Sequence, residues 1–175
     1  MSIRMIFSIL LGLALPSIAF AQVSIPAAHG TTLAGTAVVL PGALDHKVGV
    51  LVLGFSHASQ GQVAGWGKRL AVDFGQSPDV TYYEVPMLGG APKMLRGMIV
   101  KSMGSSVPAS EKLHFLPLTE DDKPWRAVAH YAKPDDAYVL LVDGQGKVLW
   151  QTEGEATDAA YALLKQQLAT AQAGH

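Results

Sequence analysis

Apolar positions along the chain fall into two periodicities that alternate in a regular order. After a polar stretch containing Gly and Thr, read as a flexible lead-in over residues 22–35, Thr36 to Leu40 predicts a short strand stopped by Pro41-Gly42. Val48 to Phe55 is apolar on both alternating faces, the signature of a central strand covered on two sides. From Gln60 to Phe74 the spacing changes to helical, with Val63, Trp66, Leu70 and Phe74 on one stripe. Asp79 to Val85 predicts another strand, closed by Pro86. Pro92, at the tolerated first turn, opens a helix with Leu95, Met98 and Ile99 on one face, and Gly104 ends it. His114 to Leu118 is a short extended piece. Asp122 is the expected N-cap of a helix that turns Trp125, Val128 and Ala129 inward and ends near Pro134. Tyr138 to Val142 is a second all-apolar run, the Asp143-Gly144-Gln145-Gly146 turn follows, and Lys147 to Thr152 returns as its hairpin partner. Thr157 or Asp158 caps a closing helix with Tyr161, Leu164 and Leu168 on its buried stripe.

Helix-crossed strands followed by a hairpin and a last helix predict a mixed sheet with helices on both faces, the thioredoxin-like arrangement, over residues 36–172. In redox proteins of that arrangement the working thiols follow the first central strand, where a helix N-terminus stabilises a thiolate. Here that segment reads Gly54-Phe55-Ser56-His57-Ala58-Ser59-Gln60-Gly61-Gln62 and holds no sulfur. The chain has no cysteine at all, which excludes disulfides, Cys-ligated zinc, iron–sulfur clusters and every thiol mechanism of its own. The two residues before Tyr138 are Asp136 and Ala137, so the proline that redox relatives place beside the thiols is missing as well.

The segment Ala137 to Ala156 resembles the closing part of the mitochondrial ATP synthase assembly-factor family, a thioredoxin-like group. The residues that carry the resemblance are Tyr138, Asp143, Gly146, Trp150, Gly154 and Ala156. Leu33 and Gly35, Leu40-Pro41, Gly54-Phe55-Ser56 and Trp66 are similar to that family too. Leu149 departs from it, since members often carry a basic residue before the strand Trp. The resemblance implies a thioredoxin-like scaffold without redox chemistry and a role in assembling a membrane complex. The expected partner is a protein or peptide, such as a membrane-complex subunit, and no cofactor is expected.

Charge and the first residues add an address. Thirteen basic residues against fourteen acidic ones, without blocks, leave no stripe for a phosphate backbone, so no nucleic-acid role is expected. Residues 1–21 read as a secretory signal peptide: Arg4 leads, Ile6 to Ile18 is an apolar run interrupted only by small residues and Pro16, and Ala19-Phe20-Ala21 is a small-x-small cleavage site before Gln22. The mature chain is therefore expected in the periplasm or secreted, with no transmembrane segment after cleavage.

Three constellations compete for chemistry. Ser56, His57, Ser59 and Gln60 form a polar corner that is expected to bind a partner or an anion at the helix N-terminus; the alternative is a ligand-binding or enzymatic site there, although no Gly-x-Ser-x-Gly elbow is present. Met87, Met94, Met98 and Met103 with His114 suit Cu(I) and suggest a periplasmic copper metallochaperone, but Met103 lies half a turn away from Met94, and packing of these methionines in the core is the expectation. Glu120-Asp121-Asp122 precedes a helix, where negative charge meets the dipole favourably; no loop pattern of further oxygen ligands accompanies it, and no metal site is expected.

Overall fold

The computed structural model describes residues 23–45 and 47–173; the expected signal peptide and its cleavage site lie outside them. Eleven elements follow in order: β1 (Ala28–Thr31), β2 (Ala37–Leu40), a 3-10 turn (Gly42–Leu44), β3 (Val48–Gly54), α1 (Gln60–Phe74), β4 (Val80–Pro86), α2 (Lys93–Ser106), α3 (Lys123–Val128), β5 (Ala137–Val142), β6 (Val148–Glu153) and α4 (Asp158–Ala173).

The main sheet has the order β4-β3-β5-β6. β3 runs parallel to β4, with Val50 beside Tyr82, and antiparallel to β5, with Leu51 beside Leu140; β6 completes the hairpin. The two all-apolar runs thus occupy the two central positions, where both faces of a strand must leave water. Val50, Val52, Val139 and Leu141 point to one face and meet Val63, Trp66 and Leu70 of α1 and Tyr161, Leu164 and Leu168 of α4. Leu51, Leu53, Leu140 and Val142 point to the other, under Leu116, Leu118, Trp125 of α3, Leu44 and the β1–β2 hairpin. Each such large side chain taken from water contributes roughly 1.5–3 kcal/mol. These two layers hold a cysteine-free chain together.

The turn between β5 and β6 is built as its residues require: the Asp143 carboxylate accepts from the Gln145 and Lys147 amides, and Gly146 supplies a φ of +81°. Thr157 caps α4 through its hydroxyl, which accepts from the Ala160 amide at 3.2 Å.

Four expectations need correction. The segment read as a flexible lead-in contains β1, paired antiparallel with β2 so that His29 faces Val39. The third helix stops at Val128, far short of Pro134, because His130 turns to a φ of +52°. Asp122 does stand at the N-cap position of that helix, but its side chain makes no capping hydrogen bond, since its carboxylate pairs with Arg126 at 2.9 Å. The helix read with an inward face of Leu95 and Met98 buries no residue: Met94, Leu95 and Met98 are exposed. The extended piece at His114 to Leu118 runs parallel beside β4 and the residue after it, joined by isolated Glu84–Phe115 and Met87–Leu118 bridges.

Candidate functional site

The corner between β3 and α1 is where the thioredoxin-like arrangement places its chemistry, and its polar groups turn inward. The Ser56 hydroxyl accepts from the amides of Ala58 at 3.0 Å and Ser59 at 3.2 Å, and donates to the carbonyl of Pro134 at 2.6 Å. The Ser59 hydroxyl donates back to the Ser56 carbonyl at 2.9 Å, and Ser59 is fully buried. Ser56 therefore satisfies backbone donors that the start of α1 would leave orphaned, and it ties the corner to a loop 78 residues away. Its proton is committed to a carbonyl, and no base activates it. His57 and Gln60 project into solvent. The structure brings the four residues together but divides them, two as framework and two as surface.

One turn further along α1, Gln62 reaches across to β5. Its Oε1 accepts from the Ala137 amide at 2.9 Å and its Nε2 donates to Asp136 at 3.4 Å. Beside it, Trp66 donates from its indole to the Gly154 carbonyl at 2.9 Å, and the Gly154 amide donates to the Ala137 carbonyl. An open groove of about 280 Å³ lies over this junction, lined by Gly61, Gln62, Gly65, Glu155, Ala156 and Thr157.

On the other side of the corner, Phe55, Tyr131 and Tyr138 form an aromatic cluster with ring centroids 5.1–5.7 Å apart. The Tyr138 hydroxyl accepts from the Ala132 and Lys133 amides and donates to the Lys133 carbonyl, which holds the loop leading into β5. The Arg126 guanidinium lies 4.0 Å from the Tyr131 ring centroid and 4.8 Å from that of Phe55. Its hydrogen bond with Asp122 strengthens the charged form and raises its pKa further. Of the family-resembling residues, Tyr138 and Gly154 thus make bonds at this junction and Ala156 lines the groove, while Asp143 and Gly146 build the hairpin turn and Trp150 packs on the α1–α4 layer.

The methionines do not converge. Met87 is buried, Met103 half-buried, and Met94 and Met98 stand on the outer side of α2, against the expectation that they pack in the core. His114 stacks face to face on Tyr82 at 4.0 Å, with Nδ1 3.1 Å from the Tyr82 carbonyl. Among the described residues no group of three or more His, Asp or Glu side chains is placed to hold a metal ion. In the acidic run, Asp121 accepts from the Lys123 amide and Asp122 pairs with Arg126.

One group escaped the sequence reading. Glu84, on β4, is only 3% exposed and lies against Gly67 of α1. Burial first, and the nearby Glu111 carboxylate second, push its pKa up to about 7. The same surroundings push Tyr82 up to about 12. The signal was present in the strand's alternation, where Val80, Tyr82 and Glu84 share the buried side.

Comparison with known proteins bears on the fold. Similar solved structures include a putative thiol:disulfide interchange protein DsbE from Chlorobium tepidum (18% identity, 86% of this chain and 96% of that one, TM-score 0.59). The exposed lipoprotein thioredoxin Etrx1 from Streptococcus pneumoniae matches at 12% identity over 81% and 99% of the two chains, also with TM-score 0.59. BsSco, of the Sco family of cytochrome c oxidase assembly proteins, matches at 16% over 85% and 95%, with TM-score 0.55. The chain has the thioredoxin-like fold, with a mixed sheet flanked by helices. No family model matches it, and no curated protein does. None of its described helices is long and apolar enough to cross a membrane.

Proposed function

We propose that this chain is an exported, non-redox thioredoxin-like protein that binds a protein or peptide and serves in assembly, in the manner of the ATP synthase assembly-factor family it resembles. The observation that carries this reading is the corner: in the segment near Ser59 to Val63, where reactive thiols would sit, Ser59 and Gln62 both spend their polar groups on the framework. A scaffold preserved with its reactive position converted to internal bonding has its surface left to work with. His57 and Gln60 are exposed at that corner, and the groove over Gly61 and Gly65 follows along α1. One neighbour of the same fold, BsSco, belongs to a family of cytochrome c oxidase assembly proteins.

The test is site-specific photo-crosslinking from position 57 and from position 60 in the native envelope fraction. A discrete protein adduct at these sites, absent when the photoprobe sits at the exposed Val72 on the far part of α1, is the expected result. If His57→Ala or Gln60→Ala instead eliminates a measurable turnover in a folded protein, with no adduct formed, an enzymatic corner takes the place of this reading. The purified protein is expected to hold no stoichiometric copper, which metal analysis checks.

A further inference from the structure

Helix α2 carries apolar side chains that its surroundings leave uncovered. Across Lys93–Ser106 no residue is buried, and Met94 and Met98, one turn apart, are 92% and 63% exposed, with Leu95 beside them. The helix is nevertheless held in place. Arg96 sends its guanidinium back to three carbonyls, those of Ala91 at 2.9 Å, Gly89 at 2.7 Å and Thr119 at 2.5 Å. Arg96, Ile99, Val100 and Met103, half-buried, mark the inward side, so Met94, Met98 and Lys101 mark the outward one. The apolar stripe is thus presented on a helix fixed in place by side-chain bonds.

Charge narrows what can cover it. Between Glu84 and Glu111 the chain contains no acidic residue, whereas Lys93, Arg96 and Lys101 all lie on α2. The two lysines are exposed and bracket the methionines. A second copy docking through the same face would set lysine against lysine with no carboxylate on α2 to answer it, which disfavours a dimer. The stripe is also a convex ridge of three flexible apolar side chains, much less than the roughly 800 Å² per partner that a stable protein interface takes. An anionic bilayer surface fits better. It accepts a shallow apolar ridge at the level of the headgroups, while lysine stems lie along the ridge and their ammonium groups reach the phosphates.

We propose that α2 is a membrane-surface docking element, which inserts Met94, Leu95 and Met98 among the headgroups of an anionic bilayer and pairs Lys93 and Lys101 with lipid phosphates. This stands apart from the partner reading of the β3–α1 corner and needs neither His57 nor Gln60.

The test is co-sedimentation of the chain from Gln22, which contains every described residue, with vesicles of phosphatidylcholine alone and of phosphatidylcholine with phosphatidylglycerol. Binding to the anionic vesicles is expected to exceed binding to the neutral ones by roughly tenfold or more at low salt, and to fall steeply at high salt. The Lys93→Glu/Lys101→Glu variant is expected to lose that preference, and Met94→Ser/Met98→Ser to lower binding by about fivefold with unchanged circular dichroism. Absence of binding to anionic vesicles overturns the proposal, as does equal binding to both compositions. It is overturned too if the chain forms a concentration-dependent dimer that Met94→Ser/Met98→Ser dissolves, which would assign the ridge to a second copy.

Discussion

At the β3–α1 corner, hydroxyl and amide side chains that a sequence offers to solvent or substrate are consumed by the protein's own backbone, while along α2 methionines that a sequence offers to the core are handed to solvent. Ser56, Ser59 and Gln62 together make six side-chain hydrogen bonds to the framework, and all but one of these reach backbone groups. Met94 and Met98 stand outside every buried cluster. The difference teaches that residue type and location in a fold do not by themselves separate working surface from scaffold. At the traditional active position Ser56, Ser59 and Gln62 serve the framework here, and along α2 an apolar stripe is not core.

That contrast breaks most readily at Ser59. Its side chain has no exposure and its hydroxyl lies against the position a Cβ on Gly54 would take, at 2.9 Å, so Ser59→Arg must bury a charge or expel the start of α1. A loss of about 4 kcal/mol or more is expected, seen as an unfolded circular dichroism spectrum. Were Ser59→Arg to fold normally, the corner would be surface after all. Ser56→Ala leaves the Ala58 and Ser59 amides and the Pro134 carbonyl without their partner; a loss of about 2 kcal/mol in urea denaturation is expected.

Glu84 sharpens the comparison through pH. Its folded pKa of about 7 lies above the ordinary carboxylate value of 4.5, so the folded chain holds a proton that the unfolded chain has released. Stability from this group is therefore full below pH 4.5, declines as pH rises toward 7, and stays reduced above it. The interval corresponds to about 3 kcal/mol. Glu84→Gln is expected to flatten that decline and, after the cost of a buried amide, to gain about 1–2 kcal/mol at pH 8 and nothing at pH 4. Thermal melts at the two pH values measure it. The smallest effect belongs to α2: Met94→Ser/Met98→Ser is expected to change stability by less than about 0.5 kcal/mol, since neither side chain leaves water on folding. A larger loss in urea denaturation would mean that α2 packs somewhere in the free chain.

Periodicity was enough for β3, α1, β4, the β5–β6 hairpin and α4, because each buries one or both faces against a neighbour and its apolar spacing records this. It failed where partners come from afar. β1 is Ala-His-Gly-Thr, without β-branched alternation, and exists through its pairing with β2; Gly30 lies where a Cβ would meet Leu116 and Leu118. In α2 the apolar spacing is genuine, but the spacing states only which residues share a side, and nothing local says whether that side is covered. The corner's location was legible from the strand-to-helix transition. Its chemistry was not, since the bonds that decide it join residues 74 to 78 positions apart, Ser56 to Pro134 and Gln62 to Asp136 and Ala137.

Ser59 and Gln62 stand at the spacing of a Cys-x-x-Cys pair, which gives the Gln62 bridge a meaning for substitution history. Placing two cysteines there would remove both bonds from Gln62 to the head of β5, and would trade the bond that closes the Ser56–Ser59 turn for a weak thiol donor. The first substitution on such a path costs stability before the second can supply any redox gain. Either substitution alone therefore weakens the corner or its tie to the loop before β5, while a single thiol forms no dithiol.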